Sequence, residues 1–221
     1  MIPMTPAAAA ETLSFAEAVS LQDLSTYIRR ARRIQQQGIR LQAAGPVLAA
    51  WVPVMTPSSL TGSLPAVLGL RTMALAQPST ADVTAELNSV SERLARMNPA
   101  ETELPLPVSR LNAPWAAVTP PRSGWEPLGT ISDDTLRAEA EKGIREISEA
   151  VPETAGAAVV EQVRERVWGR VLEGGLPAGA AFGSYALNFL GAQGSGAMTG
   201  VHRVGRWMRL SSQGGFILVR S

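Results

Sequence analysis

The side chains that most often carry covalent or proton chemistry are scarce in this chain. Its 221 residues include no Cys, one His (His202) and one Lys (Lys142). Nucleophiles, proton shuttles, metal ligands and Schiff-base lysines are drawn largely from those types. A Ser–His–Asp triad would need His202 as its base. No Ser stands in a G-x-S-x-G elbow, and AFGSYA around Ser184 only approaches one. A single His cannot build a His-based metal site within one chain. Asp133 and Asp134 are the only adjacent acidic pair, and at a predicted helix start they read as dipole-stabilising caps. GSGAMTG (194–200) echoes a glycine-rich nucleotide loop, but the order is reversed: a helix precedes it, strands follow, and no Asp or Glu lies beyond Glu173. These residues predict no catalytic group, no metal and no cofactor.

The distinctive residues are Arg, Trp and Pro, which bind and pack more than they react. Nineteen of the 20 basic residues are Arg, which serves bidentate anion recognition but also follows from a GC-rich genome. Residues 99–129 hold seven of the 16 prolines, together with Trp115 and Trp125. Rigid Trp/Arg segments are frequent anchors of interfaces and ligand sites, and they equally plug cores. The candidate binding residues are therefore Trp115, Arg122, Trp125, Arg206 and Trp207.

The elements that must position these residues follow from periodicity. Leu21, Leu24, Ile28 and the Ala31/Ile34 pair predict a helix over 20–37, with Ser20 and Asp23 as a capping box, arginines in its second half and Gly38 ending it. Strands are expected at 39–44, 46–55 and 66–76. PVLAAWVPV is apolar on both faces, as a central strand is, and Pro46 and Pro53 require an end, an edge or a bulge. A loop is expected at 56–65. Val83, Leu87, Val90, Leu94 and Met97 predict a helix over 80–97. The stretch 99–129 reads as an ordered, non-helical connector or a short edge strand, PWAAV, plus turns. Further helices are expected at 133–150, capped by Ser132, at 155–173 with Val171 inward, and at 178–190. The end reads as a three-strand meander with turns near Gly205 and Gly214–Gly215. No internal repeat is visible.

The resulting fold class is α+β: helices on small antiparallel sheets, with a C-terminal three-helix plus β-meander portion that is winged-helix-like. The expected organisation is a flexible tail at 1–19, an α+β subdomain at 20–98, a Pro/Trp-rich connector at 99–130 and a C-terminal subdomain at 131–221. The would-be recognition helix, 178–190, carries no charge. That disfavours DNA reading, which needs phosphate and base contacts, although nucleic acid remains possible. The uncharged run between Arg40 and Arg71 is broken by Gly and Pro and predicts no membrane span. The N-terminus does not read as a secretory signal, and the absence of Cys suits the cytoplasm.

PWAAVTPPRSGWEPLG, VWGRVL, LPAGAAF and GRWMRL…GGFILVR resemble an uncharacterised family of actinobacterial proteins, over most of the chain from about residue 20. The resemblance implies a cytoplasmic protein and assigns no activity or site. The expected function is a non-enzymatic binding or scaffold protein with a protein partner or a second copy of itself. The alternatives are a winged-helix-like nucleic-acid-binding regulator and a carboxylate-dependent enzyme.

Overall fold

The computed structural model describes residues 11–57, 64–117, 119–152 and 155–220. The chain opens with β1 (Thr12–Ser14), α1 (Ala18–Ala31), β2 (Ile39–Met55), β3 (Ala66–Ser79), β4 (Asp82–Ala85), α2 (Leu87–Arg96) and β5 (Glu103–Pro105). A 3-10 turn at Pro114–Ala117 leads to β6 (Glu126–Ser132), α3 (Asp133–Ala150), α4 (Ala157–Trp168), α5 (Ala178–Ala186), β7 (Met198–Val204), β8 (Trp207–Ser212) and β9 (Gly215–Arg220). Both halves run from a short strand through helix into three successive strands, β2–β4 and β7–β9, a likeness that no sequence repeat announces; the first half then adds α2 and β5, and the second has three helices where the first has α1 alone. The expected tail over 1–10 and most of the expected loop at 56–65 (58–63) lie outside the described residues. Within the rest of that tail, Leu13 and Phe15 are buried, and β1 pairs with β5.

Beside the two-stranded β1-β5 sheet, the strands of both halves form one seven-stranded antiparallel sheet, β4-β2-β3-β9-β8-β7-β6. β2 pairs with β4 along its first residues and with β3 along its last. β3 then meets β9 over Ala66–Leu70, which joins the two halves of the chain edge to edge. The register slips between Gly45 and Val47 and between Pro53 and Met55. The two prolines without donors, Pro46 and Pro53, thus sit at irregularities, as their missing N–H requires.

Alternation sorts each strand between two faces. Val52, Val67, Leu210, Ile217 and Val219 point into the main core with the helices. Leu68, Trp207 and Leu218 point into a second, smaller cluster on the opposite face. α5 is the most buried helix; Ala178, Ala180, Ala181, Gly183 and Ser184 are all covered. An uncharged helix has no solvated face to offer, so it packs on α3 and on the sheet. This overturns the winged-helix-like expectation. The helix that would read DNA lies in the core, and the meander is the middle of a large sheet.

Several boundaries differ from the periodicity reading. α1 begins at Ala18 and ends at Ala31. Ser20 lies inside the first turn and does not cap. Asp23 accepts from Arg71 Nε at 2.7 Å, which ties the helix to β3. Val83 is not on a helix: it pairs with Leu41 in β4, and α2 starts only at Leu87. Pairing to β2 and the Asp82–Arg40 ion pair outweigh the helical spacing there. PWAA is a 3-10 turn, not an edge strand. Val171 lies beyond the end of α4 and is exposed. By contrast, α3 follows its reading closely: Ser132 Oγ accepts from Thr135 N at 3.1 Å, as an N-cap should.

Candidate functional site

The second face of the sheet is crossed by residues 113–117 and 119–125 of the Pro/Trp-rich segment. The crossing has an anchor at each end. On the β2 side, Trp115 Nε1 donates to the Gln37 carbonyl at 2.9 Å. Arg40 donates to the Ala116 carbonyl at 2.6 Å and to Thr119 Oγ1 at 3.2 Å. The same guanidinium grips Asp82 with two nitrogens, at 2.7 and 2.6 Å. Hydrogen bonding to Arg40 is the main cause that holds the Asp82 carboxyl below its ordinary value, with the Arg122 charge a smaller contribution. On the β8 side, the Arg209 guanidinium lies 4.7 Å over the Trp125 ring, and Trp125 Nε1 donates to the Pro121 carbonyl at 3.0 Å. Rigid prolines suit such a strap, because the crossing segment has no ladder to join and little backbone freedom to lose.

Strap and sheet leave a cleft of about 360 Å³ between them. Val47, Ala49, Trp51, Leu70 and Phe216 form an apolar floor, and Pro120, Pro121, Arg122 and Trp125 form a wall. Val47 is 42% exposed; it pairs with β3 and lies beyond the stretch of β2 that β4 covers, Ile39–Gln42. The five candidate residues separate here. Arg122 and Trp125 line the cleft. Trp115 and Trp207 are each 8% exposed and fill the small cluster beneath the strap. Arg206 lies in the β7–β8 turn, outside the lining. Trp51, Arg209 and Phe216 complete the cleft and were not singled out by sequence. Trp51 is hidden in an all-apolar run whose second face the sequence leaves unassigned, and nothing in the spacing of the terminal meander marks Arg209 out.

The acidic pair does more than cap. Asp133 is 3% exposed. It accepts from Thr199 Oγ1 at 2.6 Å and from Gly191 N at 2.6 Å, while Asp134 accepts from Gly194 N. The glycine-rich segment after α5 is thus held to α3 by carboxylates, the opposite of a phosphate-binding polarity. His202 sits on β7 opposite Arg209. Among the described residues, no three His, Cys, Asp or Glu side chains form a metal-sized group. Nor is any helix there long and apolar enough to cross a membrane.

Two family models divide the chain between them. Residues 8–117 match a domain of unknown function (DUF8010), and residues 120–221 match another (DUF8185). The chain fits an uncharacterised family. No curated protein matches it. Among solved structures, the fold is similar to a putative DNA polymerase III beta subunit from Eubacterium rectale, at 8% identity and a TM-score of 0.52. That match covers 95% of this chain and 64% of the other. The DNA polymerase III subunit beta from Pseudomonas aeruginosa is similar at 11% identity and a TM-score of 0.50, covering 95% and 63%. The pol III beta of Caulobacter crescentus matches at 12% identity and a TM-score of 0.50, covering 95% and 65%. The chain therefore spans just under two thirds of the length of these sliding-clamp-like neighbours. At such identities the likeness is one of fold.

Proposed function

We propose that this protein is a non-enzymatic binding or scaffold protein, and that its working surface is the cleft between the Pro/Trp strap and the sheet. The observation that carries the reading is a partly open apolar floor on the second face of the sheet, walled by rigid Pro and Trp and edged by arginine. Burying such a floor under a partner removes apolar area from water, at about 25 cal/mol per Å². The fold likeness to DNA polymerase III beta subunits supports a scaffold role by analogy only. The Arg-rich composition and the resemblance of the strap and meander segments support an actinobacterial, cytoplasmic protein.

The test uses Ala49→Arg, which fills the cleft floor. Partners retained by wild type should be lost by a variant of unchanged melting temperature, and binding should be reconstituted with the purified partner. Sedimentation of the two proteins separates a foreign partner from a second copy. An unchanged partner set and unchanged sedimentation overturn the reading.

Nucleic-acid binding is the second reading. The uncharged α5 was the ground for disfavouring it, and that ground falls, because α5 is not a recognition helix. Arg29, Arg30, Arg32 and Arg33 gather at the end of α1 and its following turn, and they favour this reading. Steep salt dependence of oligonucleotide anisotropy would support it, and absence of binding at low salt would end it. The carboxylate-enzyme reading has no such support, because Asp133 and Asp134 are engaged with backbone amides and Thr199.

A further inference from the structure

Two cleft residues bury a donor that has no hydrogen-bond partner, Trp51 through Nε1 and Arg209 through Nε, and of the two only Arg209 carries a charge. It stands on β8, half-buried, with its guanidinium 4.7 Å from the Trp125 ring centre and 5.8 Å from that of Phe216. Its Nε is shielded from water and has no hydrogen-bond partner. No ion pair joins it to a carboxylate among the described residues, unlike Arg40, Arg71 and Arg170. Burial alone is the cause that lowers its pKa. Aromatic faces compensate a desolvated cation only in part. Arginine's planar fork retains donors suited to a carboxylate.

From this we propose that the cleft binds an extended acidic–apolar segment of a partner protein, with a carboxylate on Arg209 and a neighbouring apolar side chain on the Val47–Trp51 floor. The proposal rests on the cleft being the working surface. Charge complementarity selects the anion. Length selects a peptide over a small acid: the lining crosses β2, β3, β9 and β8, three strand spacings or about 14 Å, which matches roughly four extended residues. Nucleic acid fits less well, because a phosphate chain needs a row of cations, and the floor is apolar.

A random heptapeptide display library, selected on wild type, Arg209→Gln and Ala49→Arg, decides the matter. Circular dichroism confirms that each variant is folded. Wild type should enrich Asp or Glu beside an aliphatic or aromatic residue. Arg209→Gln should lose the acidic preference and keep the apolar one. A selected peptide should bind wild type about tenfold more tightly than its Gln or Asn counterpart, and Arg209→Gln should abolish that ratio. Apolar selection without acidic preference on wild type overturns the anion assignment and leaves the cleft reading standing. Selection that Ala49→Arg does not remove, or no selection at all, overturns both. Displacement of a selected peptide by benzoate or by single-stranded oligo-dT at comparable concentration assigns the site to a small acid or to nucleic acid and likewise overturns the proposal.

Discussion

Two arginines hold the strap, Arg40 through the Ala116 carbonyl and Thr119 and Arg209 through the Trp125 ring. Arg40 is the more connected, joining β2, β4 and the strap. Its pair with Asp82 is half-exposed on the acid side, so screening limits its worth to about 1 kcal/mol. The sign of its pH dependence follows from the carboxyl. Asp82 has a folded pKa below its ordinary value, so its contribution is complete above about pH 4. It is lost as the pH falls through the lower folded value. Asp82→Asn should lower the urea midpoint at pH 7, and the gap to wild type should close as the medium is acidified towards pH 3. A gap independent of pH would show that the pair contributes nothing through charge. Asp133 makes the contrasting case. Truncation would leave Gly191 N without its carboxylate acceptor, while Thr199 Oγ1 would keep only Ser212 Oγ, at 2.8 Å.

Helix packing is set by small residues at close approaches. Gly143 lies mid-way along α3, and a Cβ built there meets the Trp168 ring of α4. Trp168 in turn packs on Phe182 at 4.6 Å between ring centres. Alanine would gain about 1 kcal/mol of helix propensity. The overpacking cost of ~1–3 kcal/mol against a buried indole exceeds that gain. Gly143→Ala should therefore destabilise the protein by up to about 2 kcal/mol in chemical denaturation. Adding Trp168→Leu should make the alanine neutral or stabilising. A destabilisation that persists in the double variant would place the cause elsewhere than the ring.

The two halves of the molecule share a sheet and a core. β3 and β9 pair directly, and the main cluster draws Leu24 and Ile39 from one half and Leu136 and Trp168 from the other. Separating them would expose two long strand edges and open that cluster. A single cooperative transition is expected. Guanidinium titrations followed by far-UV circular dichroism and by tryptophan fluorescence should coincide. Two resolved transitions would show that the halves unfold independently. The strap matters at this scale too, since it covers one face of the shared sheet.

Much of this was legible in the residues. Local signals sufficed wherever the deciding interactions are local: the Ser132 cap, the Gly-bounded meander, the proline irregularities in β2 and the buried character of the uncharged α5. The poverty of Cys, His and Lys narrowed the chemistry before any coordinate was known. The limits appear where a residue's fate depends on chain far away in sequence. Val83 fits a helical stripe and becomes a strand residue because β2 pairs with it. Asp23 fits a capping box and instead pairs with Arg71. The Pro/Trp segment reads as a connector and lies across a sheet built from both halves. Alternation can assign two faces to a strand, but it cannot say what covers the second one. Only tertiary pairing brings Trp51, Arg209 and Trp125 together from three separate elements, because strand order in a sheet is a long-range choice that local periodicity does not encode.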